Sequence, residues 1–229
     1  MPYERHLSMV TPGLLILLTD QSEESVKIIN SLIDDIIQAN HDGEALRNRC
    51  YISVIGYNQN VKELCSGGLR ELDASPLRNE IVKRLVFDGV GSFVEVEVMI
   101  PLWVNSVDND ISDENYVNSI RLITDKTKTW SENHFMSPPP IVLDCSSECH
   151  VEKAECEINH LKKISTSDGC VLFFGCYSNI ESFSISSFSN MPEEWFYRLE
   201  RNNLNAADYQ NGIFDRNTVG SIIQAITDR

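Results

Sequence analysis

The chain has 229 residues, 42% of them hydrophobic and 23% charged, which is ordinary for a globular fold and excludes wholesale disorder. Its formal net charge of −15 and pI near 4.7 set it against phosphate backbones and anionic membranes, so nucleic acid and membrane surfaces are excluded as main partners. The N-terminus lacks the charged and apolar regions of a signal peptide, and seven cysteines, an odd number, fall partly in strand-like segments. That usage points to reduced thiols and a cytoplasmic location.

Taken in order, Gly13 to Thr19 reads as a strand apolar on both faces, as buried parallel strands are. Ile29, Leu32, Ile33, Ile36 and Ile37 recur at helical spacing and predict an amphipathic helix to about Asn40. Cys50 to Gly56 is a second strand, which completes a strand–helix–strand unit and favours a parallel sheet. Residues 58–100 break the rhythm with short β-prone pieces, Val61–Cys65, Ile81–Phe87 and Phe93–Ile100. Alternation in Val94-Glu-Val-Glu-Val-Met-Ile100 marks a half-exposed strand at an edge or in a hairpin. An acidic loop from Asp108 leads to a helix over 113–134, then strands at 141–145 and 169–174 flank a helix around 152–163. Val219, Ile222, Ile223 and Ile226 predict a terminal helix. The expectation is one α/β domain over 1–229, a doubly wound and mostly parallel sheet with helices on both faces and a hairpin-rich insertion around 58–100.

The loop leaving a strand's carboxyl end is where open α/β sheets bind ligands, and here it reads Asp20-Gln-Ser-Glu-Glu-Ser25. Oxygen ligands at Asp20 and Ser22 suit a hard cation such as Mg²⁺. Lacking glycine, the loop is a poor phosphate cradle. Cys145, Cys149, His150, Cys156 and His160 carry zinc-ligand chemistry but not the paired spacing of a finger or ribbon, so ordinary core and surface cysteines are expected. Asp108, Asp110 and Asp113 around Asn109 suit a solvated turn and helix start better than paired catalytic acids. The run Trp195-Phe196-Tyr197 is expected to serve packing rather than docking.

The chain resembles the von Willebrand factor A family, in a bacterial cytosolic branch. The residues that carry the likeness are Pro-Gly-Leu-x-x-x-Leu-x-Asp-Gln-Ser at 12–22 and Val54-Ile-Gly-Tyr57. Pro101-Leu-Trp-Val104, Pro139-Pro-Ile-Val142 and Thr166-Ser-Asp-Gly169 extend it over nearly the whole length. Members usually hold a divalent ion through three loops: Asp-x-Ser-x-Ser, a Thr, and the Asp of Thr-Asp-Gly. In this chain Asp20 and Ser22 match the first loop, Glu24 takes its last serine position, and Ser25 follows. Ser112 stands for the Thr beside Asp113, and Ser147 for the last Asp, unless a shift of one residue brings in Glu148.

Ser112 keeps a hydroxyl, Ser147 removes a charge, and Glu24 restores one on a longer arm unsuited to tight octahedral geometry. The resemblance therefore implies a degenerate metal site with Asp20, Ser22, Glu24, Ser112 and Ser147 as ligand positions, and no resident cofactor expected, Mg²⁺ being the one candidate. It implies a non-enzymatic adaptor or sensor in a bacterial stress or conflict system. Such a module would bind a protein with basic contact residues through Asp20, Ser22, Glu23, Glu24, Ser25, Ser112, Asp113, Ser147 and Glu148. The alternatives are a working Mg²⁺-dependent ligand-binding domain and a Rossmann-like hydrolase or nucleotide-binding enzyme on the same carboxylates.

Overall fold

Seven consecutive buried residues, Gly13–Thr19, form the central strand β1. The computed structural model describes residues 5–87, 91, 93–108, 111–148 and 150–177. After β1 comes helix α1 (Glu23–Ala39), then a two-residue hairpin of β2 (His41–Asp42) and β3 (Ala45–Leu46). Next are β4 (Cys50–Gly56), β5 (Lys62–Gly68) and the short helix α2 (Leu69–Ala74). Two ten-residue strands, β6 (Arg78–Phe87) and β7 (Phe93–Leu102), precede helix α3 (Asp113–Asn133). The chain then runs through β8 (Ile141–Ser146), a 3₁₀ turn (Val151–Ala154) and α4 (Glu155–Leu161). A small pair, β9 (Ser165–Thr166) and β10 (Gly169–Cys170), leads to β11 (Leu172–Tyr177).

Among the described residues, five strands make the main sheet in the order β11-β8-β1-β4-β5, parallel throughout except for β5, which runs antiparallel to β4. The protein is thus a mixed α/β molecule with a mostly parallel sheet flanked by helices. Strand alternation sends Leu15 and Leu17 into one apolar cluster with Val26, Ile29, Ile33 and Ile37 of α1. Leu14, Ile16 and Leu18 enter another, with Tyr116, Ile120 and Ile123 of α3 and Ile158 and Leu161 of α4. Each large side chain fully buried this way contributes about 1.5–3 kcal/mol. The parallel arrangement of β1 and β4 around α1 agrees with the expected strand–helix–strand unit.

Residues 58–100 are divided between the main sheet and a separate ribbon. β5 joins the main sheet at its edge, α2 was not anticipated, and among the described residues β6 and β7 pair only with each other as an antiparallel ribbon, Ile81 opposite Met99 and Val86 opposite Val94. The helix expected over 152–163 is a 3₁₀ turn followed by a shorter α-helix, and a two-residue hairpin splits the expected strand 169–174. At the ribbon's root, Asn30 on α1 works as a staple. Its Oδ1 accepts from the Trp103 and Val104 amides at 2.8 and 3.1 Å, and its Nδ2 donates to the Val104 carbonyl at 2.9 Å. The terminal helix expected at 219–226 and the aromatic run at 195–197 lie outside the described residues.

Candidate functional site

β1 and β8 run parallel, with Thr19 beside Cys145, so the loops leaving both strands emerge side by side. Asp20 is fully buried there. Its Oδ1 accepts from the Ser22 amide at 2.9 Å, and its Oδ2 accepts from the Ser147 amide at 2.6 Å and from the Ser147 hydroxyl. Burial pushes the Asp20 carboxyl up, but the hydrogen bonds from Ser147 and Ser22 outweigh it and hold the group below its ordinary value. It is therefore an interior anion satisfied by neutral donors, and a carboxylate so held is a weak proton acceptor.

The neighbouring residues fix this geometry. Gln21 adopts a positive φ of 60°. Its amide donates to Thr19 Oγ1, its carbonyl accepts from the Val107 amide at 3.1 Å, and its Nε2 donates to the Asn105 carbonyl at 3.2 Å. Ser22 caps α1, accepting weakly from the Ser25 amide, and the two hydroxyls are 2.7 Å apart. The buried hydroxyl beside Ser22 is thus that of Ser25, while Glu24 is exposed. Glu23 is exposed as well and pairs with Lys27 at 2.5 Å, one turn along α1.

The other expected residues reach the site less directly. Ser112 is an exposed cap for α3, accepting from the Asn115 amide at 3.1 Å. Asn115 donates to the Asn58 carbonyl at 2.6 Å, and Asn58 Nδ2 donates to the Asp20 carbonyl at 3.0 Å, so two asparagines link α3 to the loop. Asp113 turns away to Lys153, 3.1 Å, and His150, 3.6 Å. Glu148 is exposed. An open cleft of about 690 Å³ lies over the start of α1, lined by Ser22, Glu23, Glu24, Gln59, Val107 and Asp108.

A second acid, one that the sequence pattern does not single out, is buried in β8. Asp144 in β8 accepts from the Tyr116 hydroxyl at 2.9 Å and from the Ser146 hydroxyl at 2.5 Å, and Ser146 Oγ accepts from the Tyr57 hydroxyl at 2.8 Å. Consecutive serines thus serve the two acids, Ser146 for Asp144 and Ser147 for Asp20. The available signal was an Asp inside the otherwise apolar run Ile141-Val-Leu-Asp-Cys145.

At the expected ligand positions there is one buried carboxylate, both of whose oxygens face N–H or O–H donors, while the Ser22 and Ser112 hydroxyls cap helices and the Ser25 hydroxyl pairs with that of Ser22. Among the described residues no three His, Cys, Asp or Glu side chains come together as a metal-holding group. Cys145 is buried in β8 and Cys156 exposed on α4, while Cys149, Asn109 and Asp110 lie outside the described residues. Burial pushes the Cys50 and Cys65 thiols up to about 12, which leaves both un-ionised and poor nucleophiles near neutral pH. Among the described residues no helix is long and apolar enough to cross a membrane.

No protein-family model matches the chain, and no curated protein matches it.

Proposed function

We propose that this chain is a non-catalytic interaction module of the von Willebrand A type, a doubly wound Rossmann-like domain acting in the cytoplasm, which binds a protein through the strand-end face without a metal ion. The observation that carries the reading is the pairing of Asp20 with Ser147. A neutral serine stands where the resemblance implies an acid, and its amide and hydroxyl both donate to the Asp20 carboxylate. The loops are thereby tied together by hydrogen bonds in place of a cation. Exposed Glu24, Asp108 and Glu148 and the overall charge of −15 favour a partner that presents Lys or Arg. A role in a bacterial stress or conflict complex follows from the resemblance alone.

The test is thermal unfolding with and without millimolar Mg²⁺ or Mn²⁺, for the natural chain and for Ser147→Asp. Ligand at a hundredfold over its dissociation constant stabilises by about 2.7 kcal/mol. A shift confined to Ser147→Asp supports a scaffold that has exchanged its ion for hydrogen bonds. A shift in the natural chain as well replaces this reading with an ion-gated one. Turnover of any hydrolytic substrate that is lost in Asp20→Ala would instead make the domain an enzyme.

A further inference from the structure

We propose that two copies of this chain associate through the edge of β6 that no other described strand covers, antiparallel about a two-fold axis at Val82, so that two ribbons become one four-stranded sheet. A two-stranded ribbon alone is marginal in water, and a long unprotected edge is a template for pairing. Among the described residues β6 forms backbone hydrogen bonds with β7 alone. The face that carries Val82, Val96, Val98 and Ile100 is only half-buried, and on the opposite face Ile81 and Met99 remain 65% and 64% exposed.

Charge favours a second copy as the occupant, and charge together with the length of strand paired selects the register, since centres near either end of β6 leave most of it unpaired. In a protein of net charge −15, β6 carries three basic residues, Arg78, Lys83 and Arg84, against one acid, Glu80. A two-fold axis normal to a sheet sets each residue opposite one on the same face, so the pairing must centre on a single residue. Centred on Ile81, it sets Arg78 against Arg84. Centred on Lys83, it sets that lysine against itself. Centred on Val82, it sets Glu80 against Arg84 of the other copy, twice, with no like charges opposed. This register also sets the two Val82 residues against each other on one face, between the two Glu80–Arg84 pairs.

Sedimentation equilibrium on the full chain, over a micromolar dilution series, tests the assignment. The natural chain is expected to dimerise. Glu80→Arg and Arg84→Glu, each alone, are expected to raise the dimer dissociation constant by roughly tenfold or more, because each turns two attractive pairs into repulsive ones. Mixed one to one, the two variants are expected to regain dimer as a heterodimer, since both cross-strand pairs are then opposite in sign. That recovery also shows that neither variant is misfolded. A natural chain that stays monomeric, single variants that dimerise undiminished, or a mixture that stays monomeric would each overturn the proposal.

Discussion

β1 and β7 are both rich in aliphatic residues, yet they are handled in opposite ways. All seven residues of β1 are buried, between α1 on one side and α3 and α4 on the other. Of Val94 to Ile100 in β7, every residue is exposed or half-buried. The difference lies in what covers each face. A strand with unbroken apolar sequence requires cover on both sides, whereas strict alternation with Glu95 and Glu97 leaves one side to water. The two regions therefore teach that apolar content alone does not locate a core; the period of that content does.

The sharpest way to break this contrast is a matched pair of truncations. Leu17→Ala is expected to cost about 2–5 kcal/mol by urea unfolding, because it empties a fully enclosed position. Ile81→Ala, measured at dilution, is expected to stay within about 0.5 kcal/mol. Equal losses would show that the ribbon is covered as thoroughly as the central strand.

At the strand-end site, Asp20→Asn is expected to cost about 1.5–3 kcal/mol at neutral pH, the scale of hydrogen bonds to a charged group. The pH dependence has a definite sign. Because the folded-state value is lowered from about 3.8, ionised Asp20 contributes its full stability above that unfolded value and loses it as pH falls through the lower folded value. The gap between natural chain and Asp20→Asn should accordingly be constant from neutral pH to just above 4 and narrow in more acid solution, as read from urea midpoints. A gap that widens there would place the carboxyl in its neutral form.

A smaller loss is expected from Gly56→Ala. A Cβ there would meet Gln21 Oε1 at 2.8 Å and Leu64 Cδ1 at 3.0 Å, and overpacking of this kind costs about 1–3 kcal/mol, with the low end expected because both atoms end side chains. The smallest effect belongs to Lys27→Ala. Its partner Glu23 is exposed, and screened surface pairs add little, so the melting temperature should not move measurably.

The parallel sheet was legible where period and length agreed. β1, α1 and β4 lie within a residue or so of their expected bounds, since an unbroken apolar run and an i, i+3, i+4 stripe leave few alternatives. The division of 58–100 into an edge strand, a helix and a separate ribbon was not legible. Pairing partners are chosen by long-range packing that single strands do not encode. At the site, Asp20 and Ser22 could be picked from the strand-to-loop boundary. The role of Ser25 could not, because it depends on the helix starting at Glu23, which stacks the Ser25 hydroxyl under its cap. Ser147 could be placed beside Asp20 only through a family pattern. Nothing in its own sequence shows that its amide would supply the second bond, and Asn58 and Asn115 carried no signal at all.

The Asn30 staple has a mechanical consequence. Three hydrogen bonds clamp the root of the ribbon to the middle of α1, and α1 begins at the cap beside Asp20. The ribbon's root and the Asp20 loop are thus fastened to one helix, and neither can shift against α1 without breaking hydrogen bonds made by Asn30 or Ser22.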